Sequence, residues 1–139
     1  MKNIEIKVYS HYNESEILPL YESVGWTFYC KHPEMLKKAY ENSLCVLAAY
    51  NDNSPVGIVR CVGDEYTIMF VQDLLVLPTY QRQGIGTALM KSLLSRYEHI
   101  YQIELCTDSN EETMHFYKSL GFHPHHEIGC CGFMMNGKL

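Results

Sequence analysis

Apolar and polar side chains alternate at the start of the chain, where charged residues separate Ile4, Ile6 and Val8. A period of two is typical of a strand with one buried face. A signal peptide would need an uninterrupted apolar segment instead. The longest apolar stretches of the chain are also too short to span a bilayer. We therefore expect a half-buried strand here and no association with a membrane.

Four later segments carry apolar residues at helical spacing. Ser109 stands three residues before Glu112, which is the sequence pattern of a capping box. The predicted helices begin at Asn13, at Pro33, at about Gly84 and at Ser109, and glycines 25 and 121 end the first and the last.

Three strand-like parts lie between Leu44 and Pro78, separated by turn clusters at 51–55 and 63–65. Residues 101–107 predict another strand, and residues 124–135 predict a final hairpin. The strand–helix–strand segment from Asp73 to Cys106 predicts a right-handed parallel crossover. We expect one mixed α/β domain over residues 1–139. Its mostly antiparallel sheet of six or seven strands, with a parallel central crossover, is flanked on both faces by about four helices.

The charge balance excludes some classes of partner. Net charge is -5, and the chain has no block of Lys or Arg. Nucleic-acid binding depends on clustered positive charge, so we expect no nucleic-acid partner. The six cysteines lack C-x-x-C spacing, and several lie inside apolar runs. This pattern predicts buried, reduced thiols and a cytoplasmic protein.

The segment before the third helix lacks a capping residue. No Ser, Thr, Asp or Asn stands between Tyr80 and Gly86, so the first N–H groups of the helix have no side-chain acceptor. Those donors, the helix dipole and the charge of Arg82 together suit a phosphate or pyrophosphate. The third glycine of a dinucleotide fingerprint and the Lys-Ser/Thr of a P-loop are both missing. A tight turn whose donors contact water is the alternative.

Two motifs resemble those of a known family. The pattern Val76-x-Pro78-x-x-Gln81-Arg82-Gln83-Gly84-Ile85-Gly86 resembles the acetyl-CoA signature of the GNAT superfamily of N-acetyltransferases. The segment FYKSLGF, residues 116–122, resembles the second motif of that family. The specific part of the resemblance covers residues 73–122. It implies an acetyl-CoA-dependent N-acetyltransferase in which an amine attacks the thioester directly.

The resemblance also implies roles for individual residues. Backbone N–H groups of Arg82, Gln83, Gly84, Ile85, Gly86 and Thr87 would hold the pyrophosphate. The strand Leu75, Val76 and Leu77 would pair with the pantetheine arm, and Asn110 would hydrogen-bond it. Tyr117 would protonate the departing thiolate. Without the resemblance, Tyr117 is better explained as a packing residue that shares a helix face with Met114 and Leu120.

Acetyl transfer also requires an oxyanion donor and a neutral amine. A backbone N–H near Leu75–Leu77 is the candidate donor. Asp73 is the candidate general base because it lies on the same side of its strand as Leu75 and Leu77. Glu104, in the neighbouring strand, is the alternative base. Either carboxylate also fits a solvated or ion-paired strand residue.

Other reactive side chains suggest less. Four histidines lie close together in the sequence, at positions His115, His123, His125 and His126. No Cys or carboxylate recurs near them at a spacing typical of zinc sites. We therefore expect these histidines to lie on the surface, and we expect no bound metal. The adjacent cysteines 130 and 131 alternate across the predicted hairpin, which would turn one thiol toward the core. Trp26, the one tryptophan, is either a core anchor or a wall of the acceptor pocket.

Two other function classes share the same features. A non-catalytic acyl-CoA-binding or regulatory module would use the loop without the chemistry, and a nucleotide-binding regulatory domain would prefer a dinucleotide. For the enzyme, the partner is a small-molecule or peptide amine whose identity the sequence leaves open. The hairpin residues Phe133, Met134 and Met135 predict a homodimer.

Overall fold

The computed structural model describes residues 3–136. These residues form two compact units, which divide between Cys106 and Thr107. The first contains strands β1 (Ile4–Val8), β2 (Cys45–Asn51), β3 (Ser54–Gly63), β4 (Ile68–Val76) and β5 (Gln102–Leu105) and helices α1 (Glu14–Ser23), α2 (Thr27–Cys30), α3 (Pro33–Glu41) and α4 (Ile85–Arg96). The second contains helix α5 (Glu111–Ser119) and a 3-10 turn at His125–Ile128.

The strands of the first unit form one sheet in the order β1-β2-β3-β4-β5. Neighbours from β1 to β4 are antiparallel, and β4 and β5 are parallel. This confirms the mixed sheet with a parallel crossover through α4. The predicted strand count was wrong, since residues 3–136 contain five strands rather than six or seven. The same residues form five helices rather than about four, because α2 is too short to produce a helical period in the sequence.

The predicted C-terminal hairpin is also wrong. Residues 124–136 contain the 3-10 turn and no strand. Gly129 adopts a left-handed backbone at φ +78, and the N–H of Cys130 returns to the carbonyl of His125. That turn closes the segment on itself, so it cannot continue as an extended ladder.

Helices cover both faces of the five-stranded sheet. Residues of α1 and α3 pack with alternate sheet residues in one buried cluster: Ile17, Leu20, Tyr21, Leu36, Tyr40, Val46, Ala48, Ile58 and Leu75. On the opposite face, a Cβ at Gly57 would lie 3.4 Å from Cδ1 of Leu89 in α4. Gly57 therefore lets α4 pack closely on β3 and β4.

The capping box at the start of α5 is replaced by a simpler cap. Asn110, not Ser109, is the N-cap residue, and its side chain accepts a hydrogen bond from the N–H of Thr113 at 2.8 Å. Asn caps a helix as well as Ser does, and Asn110 is one residue closer to the apolar stripe. The predicted cap at Asn13 is confirmed by a bond from the N–H of Ser15 at 3.1 Å.

The cysteines are less buried than predicted. Cys61 is buried, but Cys106, Cys130 and Cys131 are exposed, and all six are free thiols. The prediction that one of the adjacent thiols faces the core was wrong, because the strand that would alternate them does not form. Within residues 3–136, every helix falls short of the length and apolar character that crossing a bilayer demands.

Candidate functional site

Strand β4 pairs with β5 over only the first half of its length, while its pairing with β3 continues. Its parallel pairing with β5 ends at Val71, opposite Leu105. Within residues 3–106, no strand pairs with that edge from Gln72 onward. A β-bulge lies at the same position in the pairing of β4 with β3. Arg60 of β3 is opposite Asp73, whereas the next residue, Cys61, is opposite Val71. Gln72 is therefore the extra residue of the bulge. The second half of β4 therefore presents backbone groups along an edge of the first unit.

The direction of those backbone groups follows from the pairing with β3. The N–H of Leu77 donates to the carbonyl of Val56 at 2.8 Å. Successive residues of a strand direct their N–H groups to opposite edges. Leu75 and Leu77 therefore face β3, whereas Leu74 and Val76 direct their N–H groups toward the other edge. The sequence signature did not indicate Leu74, because only the register with β3 assigns its direction.

A left-handed turn connects β4 to α4. Arg82 has φ +62 and Gly84 has φ +83, and a positive φ is unusual for a residue with a side chain. Such strained residues are concentrated at functional sites. The side-chain amide of Gln81 stabilises the start of this turn by donating a hydrogen bond to the carbonyl of Val76 at 2.9 Å. A second amide, of Gln83, donates to the carbonyl of Thr79 at 3.3 Å.

Helix α4 begins without a side-chain cap, as the sequence predicts. Gly84 is the N-cap residue, and glycine has no side chain that could accept a hydrogen bond from the first turn. The first helical bond runs from the N–H of Ala88 to the carbonyl of Gly84 at 3.0 Å. The N–H groups of Ile85, Gly86 and Thr87 precede that bond and carry the positive end of the helix dipole. These donors fit a phosphate group.

Asp73 lies in a buried polar network on the opposite face of β4 from α4. Its Oδ2 accepts a hydrogen bond from Nε of Arg60 at 2.8 Å and another from the hydroxyl of Tyr21 at 2.7 Å. The Tyr40 hydroxyl lies 3.0 Å from that of Tyr21. Arg60 also donates through Nη1 to Oγ of Ser43 at 3.2 Å. Arg60 and Asp73 are each only 4% exposed.

The ionisation of this network follows from burial and neighbouring charge. Burial, reinforced by Tyr40 and Asp73, raises the pKa of Tyr21 far above its ordinary value. Burial also raises the pKa of Tyr40. For Arg60, burial lowers the pKa, but Asp73 outweighs it and the net shift is upward. Tyr21 is therefore a neutral hydrogen-bond donor, and Arg60 is a cation paired with Asp73.

Asn110 and Tyr117 lie in the second unit. The side-chain oxygen of Asn110 is used as the N-cap of α5. Tyr117 is half-buried, and its ring makes edge contacts with Phe116 at 4.9 Å and Phe122 at 5.9 Å between centroids. Burial raises the pKa of Tyr117. The hydroxyl is therefore protonated at neutral pH, as a proton donor must be.

Helices α1 and α5 end in the same way. Residues 21–26 read YESVGW and residues 117–122 read YKSLGF. In each segment the glycine has a positive φ, and the aromatic residue after it donates its N–H to the carbonyl of the tyrosine, at 3.0 Å for Trp26 and 3.1 Å for Phe122. This is the Schellman motif, which places the last aromatic ring against the tyrosine ring. Trp26 is thereby fixed on Tyr21, yet it is 39% exposed and is not a core anchor.

The remaining candidates contribute less. Glu104 lies on β5 opposite Phe70 and is partly exposed. Across residues 3–136, His, Cys, Asp and Glu side chains form no group of three that could hold a metal ion. Arg60, Tyr21 and Tyr40 were not predicted as partners of Asp73, because they are distant in sequence and meet only in the folded sheet.

Comparison with known proteins gives concordant matches. The profile of the acetyltransferase (GNAT) family matches residues 7–122. A GNAT family acetyltransferase from Streptococcus pneumoniae TIGR4 is 40% identical and superimposes with a TM-score of 0.88, covering 98% of this chain and 99% of that chain. An uncharacterized N-acetyltransferase, ycf52, of Gracilaria tenuistipitata var. liui is 29% identical over 86% of this chain and 67% of its own. A ycf52-like N-acetyltransferase of Prochlorococcus marinus is 31% identical over 77% of this chain, which spans only 61% of that protein.

The profile match includes the elements described above. It begins at Lys7 near the end of β1, includes the turn at 81–84 and the whole of α4, and ends at Phe122 after α5. The Streptococcus protein has nearly the same length and the same fold. The chain therefore belongs to the acetyltransferase (GNAT) family of enzymes.

Proposed function

We propose that this protein is an acetyl-CoA-dependent N-acetyltransferase that acts on a small-molecule or peptide amine. The proposal is carried by the uncapped start of α4 together with the second half of β4, which pairs with β3 on one side but with no strand of residues 3–106 on the other. The N–H groups at the start of α4 suit the pyrophosphate of the cofactor. The open edge of β4 suits its extended pantetheine arm. Six free cysteines support a cytoplasmic location, where thiols stay reduced.

Each part of acetyl-CoA has proposed partners in the chain. The pyrophosphate accepts hydrogen bonds from backbone N–H groups between Arg82 and Thr87. The pantetheine arm pairs with the strand around Leu75–Leu77, where the N–H of Val76 faces the unpaired edge. The amide nitrogen of Asn110 is a further donor, because capping occupies only its oxygen.

The proposed reaction assigns one role to each candidate residue. A neutral amine attacks the thioester carbonyl, and the N–H of Leu74 stabilises the oxyanion that forms. The C–N bond forms, the C–S bond breaks, and Tyr117 donates its proton to the departing thiolate. Asp73 accepts the proton released by the amine, directly or through water. Because Oδ2 is held by two donors, Oδ1 is the oxygen proposed for this step.

Ligand-dependent melting tests the cofactor site. A ligand at a hundred times its Kd stabilises a protein by about 2.7 kcal/mol. We expect acetyl-CoA to raise the melting temperature and NAD to leave it unchanged. Gly86→Val should remove the shift, because a branched side chain blocks approach to the first turn of α4. Ser95→Val, on an exposed position of the same helix, is the control.

The same experiment separates an enzyme from a binding module. Incubation of the wild-type protein with acetyl-CoA and a panel of amines should release CoA, detected as free thiol. If acetyl-CoA raises the melting temperature but none of the amines leads to CoA release, the result would favour the non-catalytic module. An undiminished melting shift in Gly86→Val would contradict the assignment of the loop.

We also propose a homodimer, formed through residues 133–135 rather than through the predicted hairpin. Phe133 and Met135 are 96% and 95% exposed, and contiguous exposed apolar side chains mark interaction sites. Light scattering should report twice the 16.1 kDa chain mass at micromolar concentration. The Phe133→Ser, Met135→Ser double variant should be a monomer. A wild-type mass of one chain throughout would refute the dimer.

A further inference from the structure

Asn51 is a polar residue on an apolar face of the sheet. It is the last residue of β2, and Ala48 and Tyr50 before it pack in the cluster formed with α1 and α3. Because successive side chains of a strand point to opposite faces, Asn51 lies on the face that α4 covers. Leu47 and Ala49, which share that face, are buried. An amide among such neighbours needs a hydrogen-bond partner, because an unpaired polar group is costly there.

Tyr80 is the partner of that amide. Nδ2 of Asn51 donates a hydrogen bond to the hydroxyl oxygen of Tyr80 at 2.7 Å, and both side chains are half-buried. Tyr80 is the last residue of the 3-10 turn Pro78–Tyr80, directly before the left-handed turn at 81–84. The bond therefore joins the segment that leads into α4 to a strand residue 29 positions earlier in the chain.

The side-chain bonds of Gln81 and Gln83 are local by comparison. They reach the carbonyls of Val76 and Thr79, five and four residues earlier. Local bonds set the shape of the turn, whereas the bond from Asn51 fixes the position of the segment on the sheet. Ligand-binding groups are most effective when the surrounding residues hold them in place before the ligand arrives.

We propose that Asn51 is a positioning residue for acetyl-CoA, which acts through Tyr80 to hold the turn at 81–84 and the first N–H groups of α4 in place for the pyrophosphate. This inference rests on the proposed N-acetyltransferase function, and it adds to the cofactor site a residue outside the signature at 76–86. In this role Asn51 contacts Tyr80 and not the cofactor. A turn that is already ordered loses less conformational entropy when the cofactor binds.

Titration calorimetry with CoA tests the pair. Asn51→Leu removes the donor, and Tyr80→Phe removes the acceptor while keeping the ring. We expect each variant to weaken CoA binding roughly two- to tenfold, which corresponds to the usual contribution of one neutral hydrogen bond. The double variant should bind CoA no more weakly than the weaker single variant, because both changes remove the same bond.

A truncated acetyl donor distinguishes positioning from general damage to the fold. S-acetylpantetheine carries the thioester and the pantetheine arm of acetyl-CoA but lacks the pyrophosphate and the nucleotide. In assays of thiol release, both variants should raise the KM for acetyl-CoA and keep kcat. Their kcat/KM for S-acetylpantetheine should equal that of the wild type. A damaged fold would instead lower the activity with both donors.

Trypsin reports on the turn without any ligand, because it cleaves after Arg82. Cleavage within a folded domain requires local opening of the backbone. Both variants should therefore be cut after Arg82 several-fold faster than the wild type, as measured by mass spectrometry of the fragments. Cleavage after Lys31, directly after α2, is the internal reference and should keep its rate.

Matched controls remove similar bonds elsewhere in the first unit. Asn42→Leu removes a bond of 2.8 Å from the Asn42 amide to the carbonyl of Lys38. Tyr9→Phe removes a bond of 2.8 Å from the Tyr9 hydroxyl to Glu16. Both controls should leave CoA binding and cleavage after Arg82 unchanged, even where they lower the melting temperature.

The outcomes separate this inference from the function on which it rests. If the wild type binds CoA and the two variants bind it equally well, the positioning role is overturned while the cofactor site stands. Unchanged cleavage after Arg82, additive losses in the double variant, or an equal loss with S-acetylpantetheine would overturn the role in the same way. If the wild type does not bind CoA, the cofactor site and the positioning role both fall. A loss confined to acetyl-CoA, with faster cleavage after Arg82, supports the role.

Discussion

Replacing Tyr117 with Phe should lower turnover by roughly 100-fold, the size of a typical general-acid contribution. The variant removes the hydroxyl that is proposed to protonate the thiolate, but it keeps the ring that contacts Phe116 and Phe122. Acetyl-CoA binding and the melting temperature should therefore change little. Steady-state kinetics at saturating acetyl-CoA measures the effect, and Tyr101→Phe at an exposed position is the control.

The leaving group supplies a second readout for Tyr117. A thiol resembling cysteine has a pKa of about 8.5, so its thiolate benefits from protonation as it departs. The loss in Tyr117→Phe should shrink with an acyl donor whose thiol is more acidic. If Tyr117 is only a packing residue, Tyr117→Ala loses stability while Tyr117→Phe keeps full turnover. Full activity of the folded Phe variant would leave water as the proton source.

The pH dependence should follow from the burial of Tyr117. Burial raises its pKa above the ordinary tyrosine value of 10.0, so the donor stays protonated through neutral pH and beyond. The turnover of the wild-type enzyme should decline only above the raised pKa of Tyr117, where the hydroxyl ionises. The Phe variant, already lacking the proton, should not show that basic limb.

The uncapped start of α4 could be predicted because its evidence is local. The lack of a capping side chain before Ile85 is visible in the sequence, and Gly84 indeed adopts the left-handed N-cap conformation. The positive φ of Arg82 could not be predicted, since residues with a Cβ rarely adopt it. It depends on the geometry of the whole turn.

The hairpin predicted over residues 124–135 was wrong because the alternation of apolar residues there does not reflect burial. Cys130, Cys131, Phe133 and Met135 look like a strand by composition, but every one of them is exposed. A strand needs a partner for its backbone groups, and the 3-10 turn at His125–Ile128 directs the chain otherwise. The sequence pattern alone does not distinguish apolar residues exposed on a surface from apolar residues buried in a core.

The partners of Asp73 could not be predicted because they meet through strand register. Arg60 faces Asp73 across β3 and β4, and Tyr21 arrives from α1, 52 residues earlier. The sequence identified Asp73 as the lone carboxylate of its strand. Only the fold shows that one of its oxygens is held by two donors, which makes the residue structural as well as a candidate base.

Removing the Asp73 side chain should cost about 3–5 kcal/mol of unfolding free energy, because the buried cation Arg60 is left without its partner. Asp73→Ala, measured by urea denaturation, is the test. The matched control is the exposed pair of Lys118 and Glu127, which lie 3.0 Å apart. Lys118→Ala should cost less than about 1 kcal/mol, since exposed ion pairs stabilise little. A comparable small loss in Asp73→Ala would contradict this account of the network.

A double variant separates the structural role of Asp73 from the chemical one. Arg60→Met combined with Asp73→Leu replaces both charges with apolar side chains, and such replacements of buried ion pairs are often neutral or stabilising. We therefore expect most of the lost stability to return. Activity should not return, because the proposed base is still absent while Tyr117 and the loop are intact. A stable double variant with wild-type turnover would show that Asp73 serves the fold alone and that the amine loses its proton to water.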